Sequence, residues 1–263
     1  MMTYEIFAQT DQGRVRNNNE DALAFDLETG LCLLADGMGG YNAGEVASSM
    51  AVTSLGRELA DWLSLPANRA SGKELRRKIE ECVHQANHSI FSAAWATPDY
   101  AGMGTTLVAG VFLGARLVLG HIGDSRCYRL RGRVLQQITK DHSLLQEQVD
   151  AGLITAEQAL TSPHRNLITR ALGVDGTVCV DINEHRVEPG DLYLMCSDGL
   201  SDMVLDPVIE VILSGPCTLR KKAASLIRTA NDSGGRDNIS VLLVHAAESD
   251  DAKRGLLARM LGK

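Results

Sequence analysis

In the stretch LCLLADGMGGYNAGE, residues Leu31 to Glu45, an apolar run delivers Asp36 to a glycine-rich turn, and a helical pattern begins directly behind it. Upstream, Ala22–Leu27 reads as a strand that joins Leu31–Ala35 through the turn Glu28-Thr29-Gly30. Downstream, Val46, Met50, Leu55, Leu59 and Trp62 recur near helical spacing, which predicts a helix from about Gly44 to Leu63. A strand pair followed at once by an amphipathic helix calls for a sheet face that the helix covers.

The remainder of the chain extends this pattern. Tyr4–Thr10 reads as a strand, followed by the polar bend DQGRVRNNNED that ends in Glu20–Asp21. A second helix is expected over about Lys73–Trp95, with Leu75, Ile79, Val83, Ala86 and Ile90 on one face and Pro98 closing it. Thr105–Leu113 and Arg116–Ile122 flank Gly114-Ala115 as a hairpin, and Arg126–Arg131 and Arg133–Ile138 flank Gly132 in the same way. Residues 144–167 break the rhythm with two short helical patterns split by Gly152 and ended by Pro163, an insertion between strands. Strands resume at Val178–Val187, Asp191–Cys196 and Ile239–His245, with a helix over about Thr218–Asn231 before the last. Apolar residues on both faces of YLMC and ISVLLV mark central strands covered on each side. The expected fold is therefore α+β: two packed antiparallel sheets with helices outside. No linker or repeat divides it, so one domain spans residues 1–247, and a tail follows over 248–263.

Composition narrows the function. Apolar residues make up 44% of the 263 positions, enough for a sizeable core, and aromatics only 4%, so that core is aliphatic. A net charge of −7 and the lack of a basic, aromatic-interleaved run exclude a nucleic-acid binder. Six cysteines stand singly, several in apolar runs, as expected of free thiols in a reducing compartment. No secretory pattern and no apolar run of membrane-spanning length occurs, so the expected location is the cytoplasm.

Four acidic sites share one form, an apolar strand meeting Asp beside glycine or a turn: Asp36, Asp124, Asp198 and Asp237, where the strand follows the Asp. Glu20–Asp21 before a strand makes a fifth. Singly, each is an ordinary turn residue. Together they would repel one another unless cations neutralised them, and an oxygen-only donor set points to Mg²⁺ or Mn²⁺ rather than zinc. Such a two-ion centre suits phosphate-ester hydrolysis. An arginine would grip the phosphate oxygens as a fork, and Arg16, just before Glu20–Asp21, is the candidate.

The strings RNNNED, ADGMGGYNAGE, MGTT, GDSR, TKDHS, NLITRALG, CSDGL and GGRDNIS occur in the order and spacing of the metal-dependent protein serine/threonine phosphatases. Over about Thr3 to Ala246 the chain resembles this protein phosphatase 2C (PPM) family, most of all its bacterial single-domain members. The resemblance implies a four-layer α-β-β-α sandwich with the metals at one end, and hydrolysis of phosphoserine and phosphothreonine in proteins by a metal-activated water. It implies that Asp36 bridges two Mn²⁺ or Mg²⁺ ions and that Gly37 lends its carbonyl. Asp198 and Asp237 would complete the shell of one ion, and Glu20 and Asp21 would serve the other. Asp124, with Asp198, would hold a third, weaker ion; Arg16 would bind the phosphoryl group; residues 144–167 would form the flap beside the site. Expected partners are phosphoproteins, including a serine/threonine kinase or its targets, met by a monomer.

Two positions depart from eukaryotic or bacterial relatives. Met38 replaces a histidine that would serve as general acid, and a thioether cannot donate a proton, so protonation of the leaving group falls to a metal-bound water or another residue. Tyr41 stands where bacterial relatives often carry histidine. Other residues have plainer readings: His121 and His142 as satisfied core histidines, Arg126 and Arg170 as ion-pair partners, Thr105 and Thr106 as strand residues near the site. Asn238 either bonds the ligand shell or caps its turn. In the tail, Leu256, Leu257, Met260 and Leu261 share one side, as in an amphipathic helix docked on its own domain. A non-catalytic phosphoprotein-binding module would lack the carboxylates. A phosphatase with an aspartyl nucleophile would need a D-x-D-x-[TV] string, and this chain has none.

Overall fold

A computed structural model describes residues 2–39, 43–69, 71–160 and 167–248. The strands are β1 (Met2–Asp11), β2 (Asp21–Asp26), β3 (Leu31–Met38), β4 (Gly104–Thr105), β5 (Leu107–Leu113), β6 (Arg116–Ile122), β7 (Arg126–Arg131), β8 (Val134–Gln137), β9 (Asp181–Arg186), β10 (Leu192–Cys196) and β11 (Ile239–Glu248). The helices are α1 (Ala43–Ser64), α2 (Gly72–Ala96), α3 (Leu144–Asp150), α4 (Ala156–Leu160), α5 (Asp198–Ser201), α6 (Asp206–Ser214) and α7 (Leu219–Asp232). One sheet has the order β1-β11-β10-β7-β8 and the other β2-β3-β5-β6-β9, with β4 paired to β3. All these pairings are antiparallel.

Strand alternation divides the core into three layers. In β3, Cys32 and Leu34 face the other sheet, where they meet Tyr193 and Met195 of β10 and Leu242 and Val244 of β11. Leu31, Leu33 and Ala35 face outward, against Ala47, Ala51, Leu55 and Leu59 of α1 and Leu75, Ile79 and Val83 of α2. On the far side, Leu194, Val241 and Leu243 meet Ile209 and Leu213 of α6 and Leu226 and Ala230 of α7. Sequence runs without polar alternation, such as β10 and β11, are the strands buried on both faces, as expected. The layering is the four-layer α-β-β-α sandwich.

Several predicted boundaries move. β3 runs on through Asp36 and Gly37 to Met38, because Gly37 and Met38 pair with Thr105 and Gly104. Asp36 therefore sits inside a strand rather than at its end. The strand predicted over Val178–Val187 is confined to Asp181–Arg186. α6 was not predicted: Val208, Ile209, Val211 and Ile212 are β-branched and mask the helical spacing, although Pro207 stands in its first turn, where proline is tolerated. The insertion holds α3 and α4 separated around Gly152. Tyr41, Pro163 and the tail beyond Glu248 lie outside the described residues. No helix among the described residues is long and apolar enough to cross a membrane. Their cysteines are all free thiols, with Cys32, Cys82, Cys127 and Cys196 buried.

Candidate active site

Antiparallel pairing brings distant segments to one end of the sandwich. The C-terminal end of β3 lies beside the start of β2, where Asp36 is opposite Asp21. The end of β10 lies beside the start of β11, which brings Asp198 and Asp237 together, and the turn after β6 carries Asp124. A Ser197 hydroxyl donating to Asp21 Oδ2 at 2.9 Å ties the two sheets together at this end.

Backbone clamps hold the carboxylates. Thr106 Oγ1 accepts from the Asp36 amide (2.9 Å), while Thr105 Oγ1 and the Thr106 amide both donate to the Asp36 carbonyl at 2.9 Å. Thr106 Oγ1 also shares a 2.8 Å hydrogen bond with the Ser125 hydroxyl, next to Asp124. The turn bearing Asp124 needs Gly123 at φ 98°, a left-handed conformation that favours glycine. His142 fixes that turn twice: its amide donates to the Gly123 carbonyl (2.8 Å), and its Nδ1 accepts from the Gly123 amide (3.1 Å). His121 Nε2 donates to the Ser125 carbonyl at 2.9 Å, so both histidines are satisfied positioning groups. Gly37 is needed for close approach: a Cβ there would run into the Gly44 carbonyl of α1 and lie 2.6 Å from the Glu20 carbonyl oxygen.

Asn238 bonds residues of the proposed ligand shell, as the first of its two expected roles has it: its backbone amide donates to Asp237 Oδ1 at 2.8 Å. It clamps the Arg16–Glu20 loop, donating to the Gln12 (3.0 Å) and Asn18 (2.8 Å) carbonyls and accepting from the Glu20 amide (2.8 Å). Arg16 lies at the rim and donates to Asp237 Oδ2 at 2.7 Å. Arg126 and Arg170 form the expected ion pairs, with Asp141 and Asp181. The hydroxyl clamps of Thr105, Thr106, Ser125 and Ser197 had no sequence signal beyond adjacency to the acidic strings.

The electrostatics are those of negative charge gathered under cover. Burial first, then the charges of Asp21, Asp198, Asp124 and Asp237, hold the Asp36 carboxyl well above the usual carboxylate range. Asp198 is raised in the same way, by burial and then by Asp124 and Asp237. Burial pushes Asp21 up to about 7, against hydrogen bonds from Ser240 and Ser197. Asp124 rises to about 6 through burial and the charge of Asp141, and Glu20 is raised mainly by burial. Burial would lower Arg16, but its bond to Asp237 and the charges of Asp237, Glu20 and Asp198 outweigh that and raise it.

No three His, Cys, Asp or Glu side chains among the described residues form a closed metal clasp as they stand. Their chemistry still fits hard divalent cations. The donors are all oxygen, they disfavour their own ionisation unless neutralised, and Asp21 Oδ1 is buried with no hydrogen-bond partner.

Buried oxygen donors with a guanidinium at the rim are the equipment of a metal-assisted phosphoryl-transfer enzyme. The chain belongs to the protein phosphatase 2C family, whose model matches residues 9–241. It is 40% identical over 250 residues to the serine/threonine phosphatase stp of Listeria monocytogenes, covering 94% of this chain and 96% of that one. It is 43% identical over 244 residues to the serine/threonine protein phosphatase PstP of Mycobacterium tuberculosis, covering 92% of this chain and 45% of the relative. The crystal structure of the M. tuberculosis phosphatase PstP/Ppp superposes with a TM-score of 0.86 at 41% identity, over 93% of this chain and 99% of that one. The catalytic domain of PstP in complex with two manganese ions superposes with a TM-score of 0.83 at 40% identity, over 94% and 100% of the two chains.

Proposed function

We propose that this chain is a protein serine/threonine phosphatase that hydrolyses phosphoserine and phosphothreonine esters with two Mn²⁺ or Mg²⁺ ions. The observation that carries this reading is the convergence of Asp21, Asp36, Asp124, Asp198 and Asp237, from separate segments, at one end of the sandwich with Arg16 at its rim. Asp36 would help to hold both ions and Gly37 would contribute its carbonyl; Asp198 and Asp237 would hold one ion and Glu20 and Asp21 the other. Asp124, with Asp198, would hold a third, weaker one. Bound there, the ions supply neutralising charge and acidify a water for in-line attack on phosphorus.

The chain's own groups do the rest. Arg16, now on Asp237, presents two-pronged donors to the phosphoryl oxygens when it turns to substrate. Thr105 and Thr106 keep Asp36 from shifting along β3, and Asn238 keeps the Arg16 loop against β11. Met38 offers no proton, so the leaving seryl or threonyl oxygen takes one from water or from another residue. The catalytic unit is assigned to residues 1–247, with 144–167 as its flap and 248–263 as a tail. It acts as a cytoplasmic monomer on phosphoproteins that include a kinase or its targets.

Hydrolysis of p-nitrophenyl phosphate and of a phosphothreonine peptide, with Mn²⁺ or with EDTA, tests the activity. Turnover is expected with Mn²⁺ and lost in EDTA; metal-independent turnover, or none in either condition, refutes it. Asp36→Ala is expected to lower kcat by at least about a thousandfold, and full activity in Mn²⁺ would sink the assignment of that residue.

A further inference from the structure

At the edge of the sandwich formed by β8 and β9, the space between the sheets turns from apolar to polar. Along β9, Asp181, Asn183 and His185 alternate on one face and pair with His121, Leu119 and Leu117 of β6. Opposite them, Arg129 of β7 pairs with Gln136 of β8. His121, Asn183 and His185 from one sheet, with Arg129 and Gln136 from the other, line a cavity of about 250 Å³. None of these residues belongs to the acidic centre.

Most charge in this lining is already partnered. Asp181 is held by Arg170 (3.1 Å) and His142 (3.2 Å), and Lys140 by Asp150 (2.6 Å). His121 Nε2 is bonded to the Ser125 carbonyl, and Arg129 Nη2 to the Gln136 side-chain oxygen at 2.7 Å. Two nitrogens are left over: Arg129 Nε and His185 Nε2 are both buried without a hydrogen-bond partner. Arg129 forms no ion pair with a carboxylate among the described residues; its only bonded side-chain partner is the Gln136 amide.

The class of ligand follows from what these two nitrogens want. A polar nitrogen left unsatisfied under cover carries a desolvation penalty, and an apolar occupant would keep it. A cation would face the Arg129 guanidinium, whose charge, after burial itself, already lowers the pKa of His185. An oxyanion accepts from Arg129 Nε–H, neutralises the guanidinium and selects the His185 tautomer that carries its proton on Nε2, and charge-assisted bonds of this kind are the strong ones. We propose that the cavity between β7–β8 and β6–β9 binds a small tetrahedral oxyanion of the phosphate class, received by Arg129 Nε–H and His185 Nε2–H.

The test follows the side-chain nitrogens by NMR in the full isotope-labelled chain, in EDTA, during titration with inorganic phosphate. The Arg129 Nε–Hε and His185 imidazole resonances are expected to shift together and saturate. The same shifts are expected in Arg16→Ala, which removes the phosphate grip proposed for the catalytic centre, so the two sites report separately. Arg129→Gln is expected to weaken phosphate binding at least about tenfold, and His185→Gln serves as a second variant on the edge strand. Resonances that do not move would show a cavity filled by ordered water only and would overturn the proposal. So would shifts that vanish in Arg16→Ala, or that persist unchanged in both cavity variants.

Discussion

Single residues at the acidic end carry more structural work than their side-chain chemistry suggests. Asn238 is buried and satisfies three backbone groups from the Gln12–Glu20 segment. Asn238→Ala would strand those groups at on the order of 1–3 kcal/mol each, partly recovered by water. It is expected to lower the melting temperature and to reduce kcat/KM for the phosphothreonine peptide, because the Arg16 loop loses its anchor. Unchanged kinetics would show that the loop is held by other contacts. His121 gives a pH signature. Burial, then the neighbouring His142, lowers its pKa from 6.5 to about 4. The unfolded chain therefore takes up a proton near pH 6.5 that the folded chain refuses until about pH 4. The His121 contribution to stability is fully present above about pH 6.5 and is lost as pH drops towards 4, on the order of 3 kcal/mol over that window. Urea unfolding of the wild type and of His121→Phe at pH 7 and at pH 4.5 isolates this contribution from the opposite one of the acidic centre: the difference in stability between the two proteins is expected to shrink at the lower pH.

At the level of elements, the junction of β3 with α1 is built on two glycines facing each other. A Cβ at Gly37 would strike the Gly44 carbonyl, and one at Gly44 would lie 2.8 Å from the Gly37 carbonyl oxygen. Both obstacles are backbone, so neither yields as a flexible side chain would. Gly37→Ala is expected to cost on the order of 3 kcal/mol and to push α1 away from β3, with loss of activity. A thermal melt alongside the phosphatase assay checks both, and a wild-type melting temperature would refute the close-approach reading. This junction was legible in LCLLADGMGGYNAGE because strand alternation, glycines and helical spacing meet there within fifteen residues. The strand-end carboxylates were legible for the same reason: each stands at a switch in hydrophobic pattern. The clamps on them were not. Thr106 reaches Asp36 across 70 positions and Ser197 reaches Asp21 across 176, and no local period encodes such meetings. Helix α6 was hidden by β-branched residues whose propensity opposes the state that packing against β7, β8 and α7 imposes.

Across the whole molecule, the gathered carboxylates trade stability for a binding site. Asp21, at about 7, remains protonated in the fold at pH values where the unfolded chain has released that proton, and burial with neighbouring charge raises Asp36 and Asp198 in the same direction. A carboxyl raised on folding destabilises progressively as pH climbs from about 4 through its folded value. In EDTA the melting temperature is expected to fall between pH 5 and pH 8. Added Mn²⁺ at one fixed concentration should raise it, more at pH 8 than at pH 5, since an ion at a hundred times its dissociation constant stabilises the fold by about 2.7 kcal/mol and protons compete with it less at the higher pH. Differential scanning calorimetry in both buffers checks this; an equal shift at the two pH values would mean that the ions bind elsewhere.

The ladder of β1 against β11, from Met2 opposite Glu248 to Asp11 opposite Ile239, has a consequence for synthesis. A nascent chain on the ribosome can fold the hairpins of β5–β6 and β7–β8 as they emerge, but it cannot seat its first strand until Glu248 is clear of the exit tunnel. Asp237 leads directly into β11, so the acidic end stays incomplete until that strand has been made. At roughly 5–20 residues per second, the chain spends ten seconds or more as an inert polypeptide. Phosphatase activity therefore waits on β11, and no copy lacking that strand competes for substrate.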